Sequence, residues 1–199
     1  MAVDAKTVKE LRDKTGAPIL DCREALRESS SDIEKAIVYL REKGIASASK
    51  KTGRDTKDGK VISYIHPGDK LGVLVEINCE TDFVGKNQDF AAFAKDIAMH
   101  IAAANPSYLS KEDVPDKVLD EERQIYRTQA RNSNKPEKVI EKIVEGKLGK
   151  FYTETCLLEQ CFIKDDKIVV KDFIKTAIAK FGENISIGRF ARFKIGEKA

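Results

Sequence analysis

From Leu71 to Ile77 an apolar residue falls on every second position, Leu71, Val73, Val75 and Ile77. This is the two-residue period of a strand with one buried face. The strand runs out into a polar stretch, Asn78-Cys79-Glu80-Thr81-Asp82, and Phe83 follows before any new helix begins. A large aromatic at the tip of a polar loop either tucks under that loop or is offered to a partner. Tucking is the commoner outcome, because apolar side chains are mostly inside.

The strand belongs to a mixed pattern. Three short helices occupy the first 45 residues or so. The first carries Thr7-x-x-Glu10, a capping-box pattern, with its cap there or a few residues earlier. It buries Val8 and Leu11 and stops at Thr15-Gly16, with Pro18 beyond. The second places Ile19, Cys22, Ala25 and Leu26 on one face. The third starts at Ser31-Asp32-Ile33-Glu34, carries Ile33, Ala36, Ile37 and Leu40, and is expected to end at Gly44. Residues 47–60 are almost without apolar side chains and read as a linker. A hairpin follows, Val61 to His66 and Leu71 to Asn78, with Pro67-Gly68 at the centre of a type II turn. Helices are then expected at Asp89–Ala104, at the charged segment Pro115–Arg131, from Pro136 onward, and through Phe173–Phe181. Ile185, Ile187, Arg189, Ala191, Phe193 and Ile195 share one face of a closing strand that pairs beside the hairpin. The expected fold class is α+β: a three-helix bundle (1–46), a linker (47–60), and a core (61–199) with a small three-stranded antiparallel sheet and packed helices.

Composition narrows the function. The 199 residues hold 36 Lys and Arg against 33 Asp and Glu, a balance without the basic excess of a nucleic-acid binder. The basic stretch Lys50-Lys51-Thr52-Gly53-Arg54 has no aromatic interleaving and reads as solvated linker. No apolar run is long enough to cross a membrane, and the charged start does not read as a signal peptide, so a cytoplasmic protein is expected. Cys22, Cys79, Cys156 and Cys161 lack the paired spacing of a zinc site and read as reduced, mostly packed thiols.

Catalytic chemistry is hard to assemble. No glycine-rich phosphate loop follows a strand. His100 has apolar neighbours and reads as a packing histidine, whereas His66, in the turn before Pro67, either lies free or reaches a partner. Cys79 has no histidine placed to activate it. Neither enzyme chemistry nor a cofactor is expected.

Six blocks in order resemble the elongation factor Ts family. They are Val8–Ala17 with Asp21–Leu26, then Gly72–Val84, then His100–Pro106, then Lys135-Pro136-Glu137 with Val144–Lys147, then Leu157–Gln160, and finally Arg189–Phe193 with Gly196-Glu197. The resemblance covers essentially the whole chain. Pro18 and Ile19 stand where members often carry Gly and Met, Gly85 where Ala is usual, and Cys161 where Pro is frequent. It is to the compact form, without the inserted coiled-coil hairpin and C-terminal module of longer members.

The resemblance implies a guanine-nucleotide exchange factor for the GTPase elongation factor Tu, with a ubiquitin-associated (UBA-like) N-terminal bundle. Asp82 and Phe83, flanked by Thr81 and Val84, are the implied wedge into the GTPase. Arg12, Ile19 and Leu20 are the implied docking residues of the bundle, with His66 a further candidate contact. Pairing as a homodimer is implied for compact members, and neither direct nucleic-acid binding nor membrane association. Two other readings stand beside it. An adaptor recognising a peptide or ubiquitin-like surface accounts for the bundle but leaves the loop from Asn78 to Val84 without a purpose. An RNA-binding accessory needs a basic aromatic surface.

Overall fold

A computed structural model describes residues 3–131 and 136–197; Lys135, quoted above among the matching residues, lies outside them. The fold is α+β. A three-stranded sheet has the order β1-β2-β5, built from Asp58–Ile65, Leu71–Cys79 and Ile185–Lys194, and the final strand lies beside the second strand of the hairpin as expected. A two-stranded antiparallel ladder of β3 (Cys161–Phe162) and β4 (Asp165–Val169) was not foreseen. The two residues of β3 carry too little period to be seen in a sequence, and β4, Asp165-Asp166-Lys167-Ile168-Val169, has no apolar alternation.

Two compact units divide the chain. One comprises Met1–Lys60, Ile77–Phe93 and Asp172–Ser186, and the other Val61–Glu76, Ala94–Lys171 and Ile187–Ala199. In the first, α1 (Ala5–Thr15) begins at Asp4 rather than Thr7, whose hydroxyl reaches back to the Asp4 carboxylate at 3.4 Å. It closes on Gly16, left-handed at φ 68°, whose N–H donates to Arg12 O at 2.7 Å. Pro18 leads into α2 (Ile19–Glu28), and Asp32 caps α3 (Ile33–Ser49) by accepting from the Lys35 N–H at 3.1 Å. Val8, Leu11, Cys22, Ala25, Leu26 and Ala36 form the buried centre of these helices.

The third helix does not end at Gly44. A Cβ there would lie 3.2 Å from that of Ala179 on α8 (Val170–Phe181), so this glycine admits a close helix neighbour rather than stopping a helix. As a result α3 runs to Ser49, and only residues 50–57 separate it from β1. Phe90 on α5 (Gln88–Ala104) meets Phe181 edge-on at 5.8 Å, and Phe93 meets Phe173 at 5.1 Å.

In the second unit the hairpin turns as expected. Gly68 takes φ 94° and the Asp69 N–H donates to His66 O at 3.0 Å. The charged α6 (Asp116–Arg131) is more than a solvated rod: it packs on α7 (Glu137–Thr155) through Leu119, Ala130, Ile140, Val144 and Leu148. Arg131 pairs with Glu137 and Arg127 with Glu141, so the two helices run antiparallel. Both helices lie where the sequence predicts them, and their packing gives the charged segment a buried face. His100 is fully buried, accepting from the Ile163 N–H at Nδ1 (3.3 Å) and facing Gln160 Oε1 from Nε2 at 3.0 Å. Burial pushes its pKa down, so it sits as a neutral packing imidazole. Among the described residues, no helix is long and apolar enough to cross a membrane.

The alternating face of β5 meets two environments. Ile185 and Ile187 are buried, but Arg189, Ala191, Phe193 and Ile195 are exposed. On the opposite face of the exposed half, Phe190 and Arg192 are partly covered. There Arg192 lies against α5, donating from Nε to Ala102 O at 3.2 Å and pairing with Glu197 at 2.6 Å.

Candidate functional site

Beyond Cys79 the chain leaves β2 and makes one helical turn, α4 (Asp82–Gly85). Thr81 is extended at φ −131° and ψ 155°, and the turn is closed by Gly85 N–H to Thr81 O at 3.1 Å and Lys86 N–H to Asp82 O at 2.9 Å. Helical geometry advances about 100° per residue, so Phe83 and Val84 cannot share a direction. Val84 and Gly85 are buried; Phe83 is 80% exposed. The aromatic is therefore not tucked under its own loop but faces solvent. Gly85 has no positive φ, and its backbone is close-packed: a Cβ there would meet Asp58 Oδ1 at 2.9 Å.

Asp82 beside it is exposed and bonded to Lys86 Nζ at 2.6 Å, one helical turn on. That hydrogen bond holds the Asp82 carboxyl below its ordinary range and raises the Lys86 ammonium, so both stay charged at neutral pH. Cys79 packs beneath, its thiol donating to Thr81 O at 3.1 Å, and burial pushes that thiol up, away from nucleophilic use.

The loop after α8 meets this turn. Glu183 Oε2 accepts from the Glu80 and Thr81 N–H groups at 3.1 and 3.0 Å, and its Oε1 accepts from the Thr81 hydroxyl at 2.6 Å. In return Glu80 Oε1 accepts from the Asn184 N–H at 2.6 Å, while the Asn184 side-chain amide donates to Arg54 O at 2.7 Å. Glu80 and Arg54 were noted only as part of a polar run and a basic stretch, Glu183 and Asn184 not at all, and none of the four was named as a site residue from the sequence. Residues 102 to 130 positions apart carry no local signal that they meet.

The implied docking residues are solvent-facing. Arg12 is exposed on α1, and Ile19 and Leu20 open α2 with 49% and 75% of their surface exposed. The expected inward place of Ile19 is therefore wrong: Cys22, Ala25 and Leu26 fill the bundle, and Ile19 is left outside. Behind these residues Lys43 bonds Glu24 at 2.8 Å and Asp21 at 2.9 Å, which raises its pKa and ties α3 to α2. Arg12, Ile19, Leu20, Thr81, Asp82, Phe83 and Val84 all belong to the first unit. His66 belongs to the second, its Nδ1 3.0 Å from the Tyr64 hydroxyl.

The outer face of the sheet gives a second exposed apolar surface. Val61 and Ile65 on β1, Leu74 on β2, and Phe193 and Ile195 at the end of β5 are all open to solvent. Ile65, Leu74, Phe193 and Ile195 line a shallow depression of about 600 Å³. Nearby, Arg189 and Glu76 pair at 2.9 Å.

Comparison with known proteins gives a consistent result. The family described as Elongation factor TS matches residues 5–197. A protein named Elongation factor Ts from Caldanaerobacter subterraneus subsp. tengcongensis is 58% identical over 195 residues, 98% of this chain and 98% of its own length. Those of Geobacter sulfurreducens and Fervidobacterium nodosum are 55% and 54% identical over 197 residues. Both alignments cover 99% of this chain, with 91% and 100% of the relatives' lengths.

Proposed function

The chain belongs to the elongation factor Ts family, and from that premise we propose that it binds elongation factor Tu·GDP in the cytoplasm and promotes GDP release, so that GTP can rebind during translation elongation. The observation that carries the reading is Phe83, a large apolar side chain 80% exposed on a turn whose backbone is already held. The bundle docks on the nucleotide domain through Arg12, Ile19 and Leu20. Asp82 and Phe83, with Thr81 and Val84 shaping the turn, then enter beside the elements that hold Mg²⁺ and the phosphates. No bond is made or broken.

Magnitudes require a large interface behind the wedge. Nucleotide held at nanomolar affinity represents about 12 kcal/mol. Burying one Phe contributes roughly 1.5–3 kcal/mol. Accelerating release ten-thousand-fold takes about 5.5 kcal/mol. Strain at the GDP site is therefore drawn from the whole docking surface, with Phe83 directing it. Linkage makes the exchange reciprocal: whatever GDP affinity the factor removes, GDP removes from the factor's affinity.

The outer face of the sheet supports homodimerisation. Contiguous exposed apolar side chains mark an interaction surface. Charges of both signs flank them, with Arg189 paired to Glu76 and Arg192 and Lys194 to Glu197, which suits a second copy related by a two-fold axis. Such a dimer presents two wedges. Stopped-flow release of a fluorescent GDP analogue from elongation factor Tu tests the reading. Acceleration that rises with chain concentration to a plateau is expected; no acceleration at any concentration returns the chain to the adaptor reading.

A further inference from the structure

Resting on the exchange reading above, we propose that Glu183 is a positioning residue that sets the pose of Phe83, and so the rate of exchange, from a loop 100 residues away in sequence. A four-residue helix cannot hold itself: it has one turn, and its leading N–H groups have no partner within it. The usual remedy is a capping side chain, but Thr81 makes no cap bond. Its hydroxyl is turned instead to Glu183, whose carboxylate also takes the N–H groups of Glu80 and Thr81.

Those three donors belong to the two residues immediately before Asp82. They fix the direction in which the chain enters the turn, and hence the direction of Phe83. Charge-assisted bonds of this kind are the strong ones. The Glu80 carboxylate on the Asn184 N–H, at 2.6 Å, locks the two loops reciprocally. Gly182, left-handed at φ 78° as it ends α8, turns the chain so that residue 183 reaches across. A wedge held this way does not lose loop freedom when it docks, so binding free energy goes into displacing the GTPase elements.

The test compares Glu183→Ala, Glu183→Gln and Thr81→Val in GDP release over a range of chain concentrations, with amide hydrogen exchange at Thr81 read in parallel. Glu183→Ala is expected to lower the plateau rate about tenfold. Glu183→Gln is expected to stay within about twofold of wild type: its amide oxygen accepts both N–H groups and its NH₂ donates to the Thr81 hydroxyl. Thr81→Val, which removes one bond and leaves the fold in place, is expected to lower the rate roughly threefold and answers the question if Glu183→Ala does not fold. A plateau unchanged in Glu183→Ala or, where that variant is unfolded, in Thr81→Val overturns the proposal. So does Glu183→Gln falling as far as Glu183→Ala, which would make Glu183 a charge contact. If wild type itself gives no acceleration, the exchange reading fails separately. Thr81 amide protection then decides the clasp alone: faster exchange in Glu183→Ala keeps it, unchanged exchange removes it.

Discussion

Phe83 and Phe193 are both large aromatics in water, 80% and 66% exposed, and they are exposed for different reasons. Around Phe83 the neighbours are buried or bonded: Val84 and Cys79 are inside, and Glu80 and Thr81 are held by Glu183. One side chain projects from a finished piece of structure. Around Phe193 the neighbours Ile195, Ile65 and Leu74 are exposed with it, as parts of one uncovered sheet face. The first arrangement suits insertion into a partner's crevice, the second mating with an extended surface. The contrast shows that an exposed apolar residue is interpretable only from the state of its neighbours.

The largest expected effect separates the two aromatics directly. Phe193→Asp places a charge in the apolar face and is expected to weaken self-association at least a hundredfold, read by sedimentation velocity across a dilution series. Phe83→Ala is expected to leave that association unchanged. Next comes the core of the first unit, where Gly44→Val forces a branched side chain onto Ala179. The expected destabilisation is about 1–3 kcal/mol, measured by urea denaturation.

A pH titration sharpens the comparison between units. His100 has a folded pKa below its ordinary 6.5, so its contribution to stability is complete above about pH 6.5 and is lost as pH falls through that value toward the folded pKa. Asp82, held ionised by Lys86, does not change charge in that window. Denaturant midpoints are therefore expected to fall between pH 7 and 5.5 while the charge on Asp82 is constant. The smallest effect is expected for Lys86→Ala, which removes an exposed partner of Asp82 and should barely move the melting temperature.

These differences also mark what the sequence could reveal. The hairpin, with its Pro67-Gly68 turn, and the apolar stripes of α5 and α8 were legible because period and turn chemistry are local. Gly44 was misread because a helix-stopping glycine and a close-packing glycine look alike without Ala179 in view. The alternation in β5 identified a face but could not say that Ile187 is covered and Ile195 is not. At the candidate site, Asp82 and Phe83 were found through family resemblance, since local pattern alone favoured a tucked aromatic. Glu183 was invisible to both, because it acts through a meeting of two distant loops.

The most direct test of the account is GDP release from elongation factor Tu by Phe83→Ala beside wild type, with circular dichroism and sedimentation run on the same samples. Removing a fully engaged Phe is expected to slow the plateau rate roughly ten- to hundredfold, with fold and self-association intact. A folded Phe83→Ala protein that releases GDP as fast as wild type would contradict the claim that this exposed aromatic is the wedge.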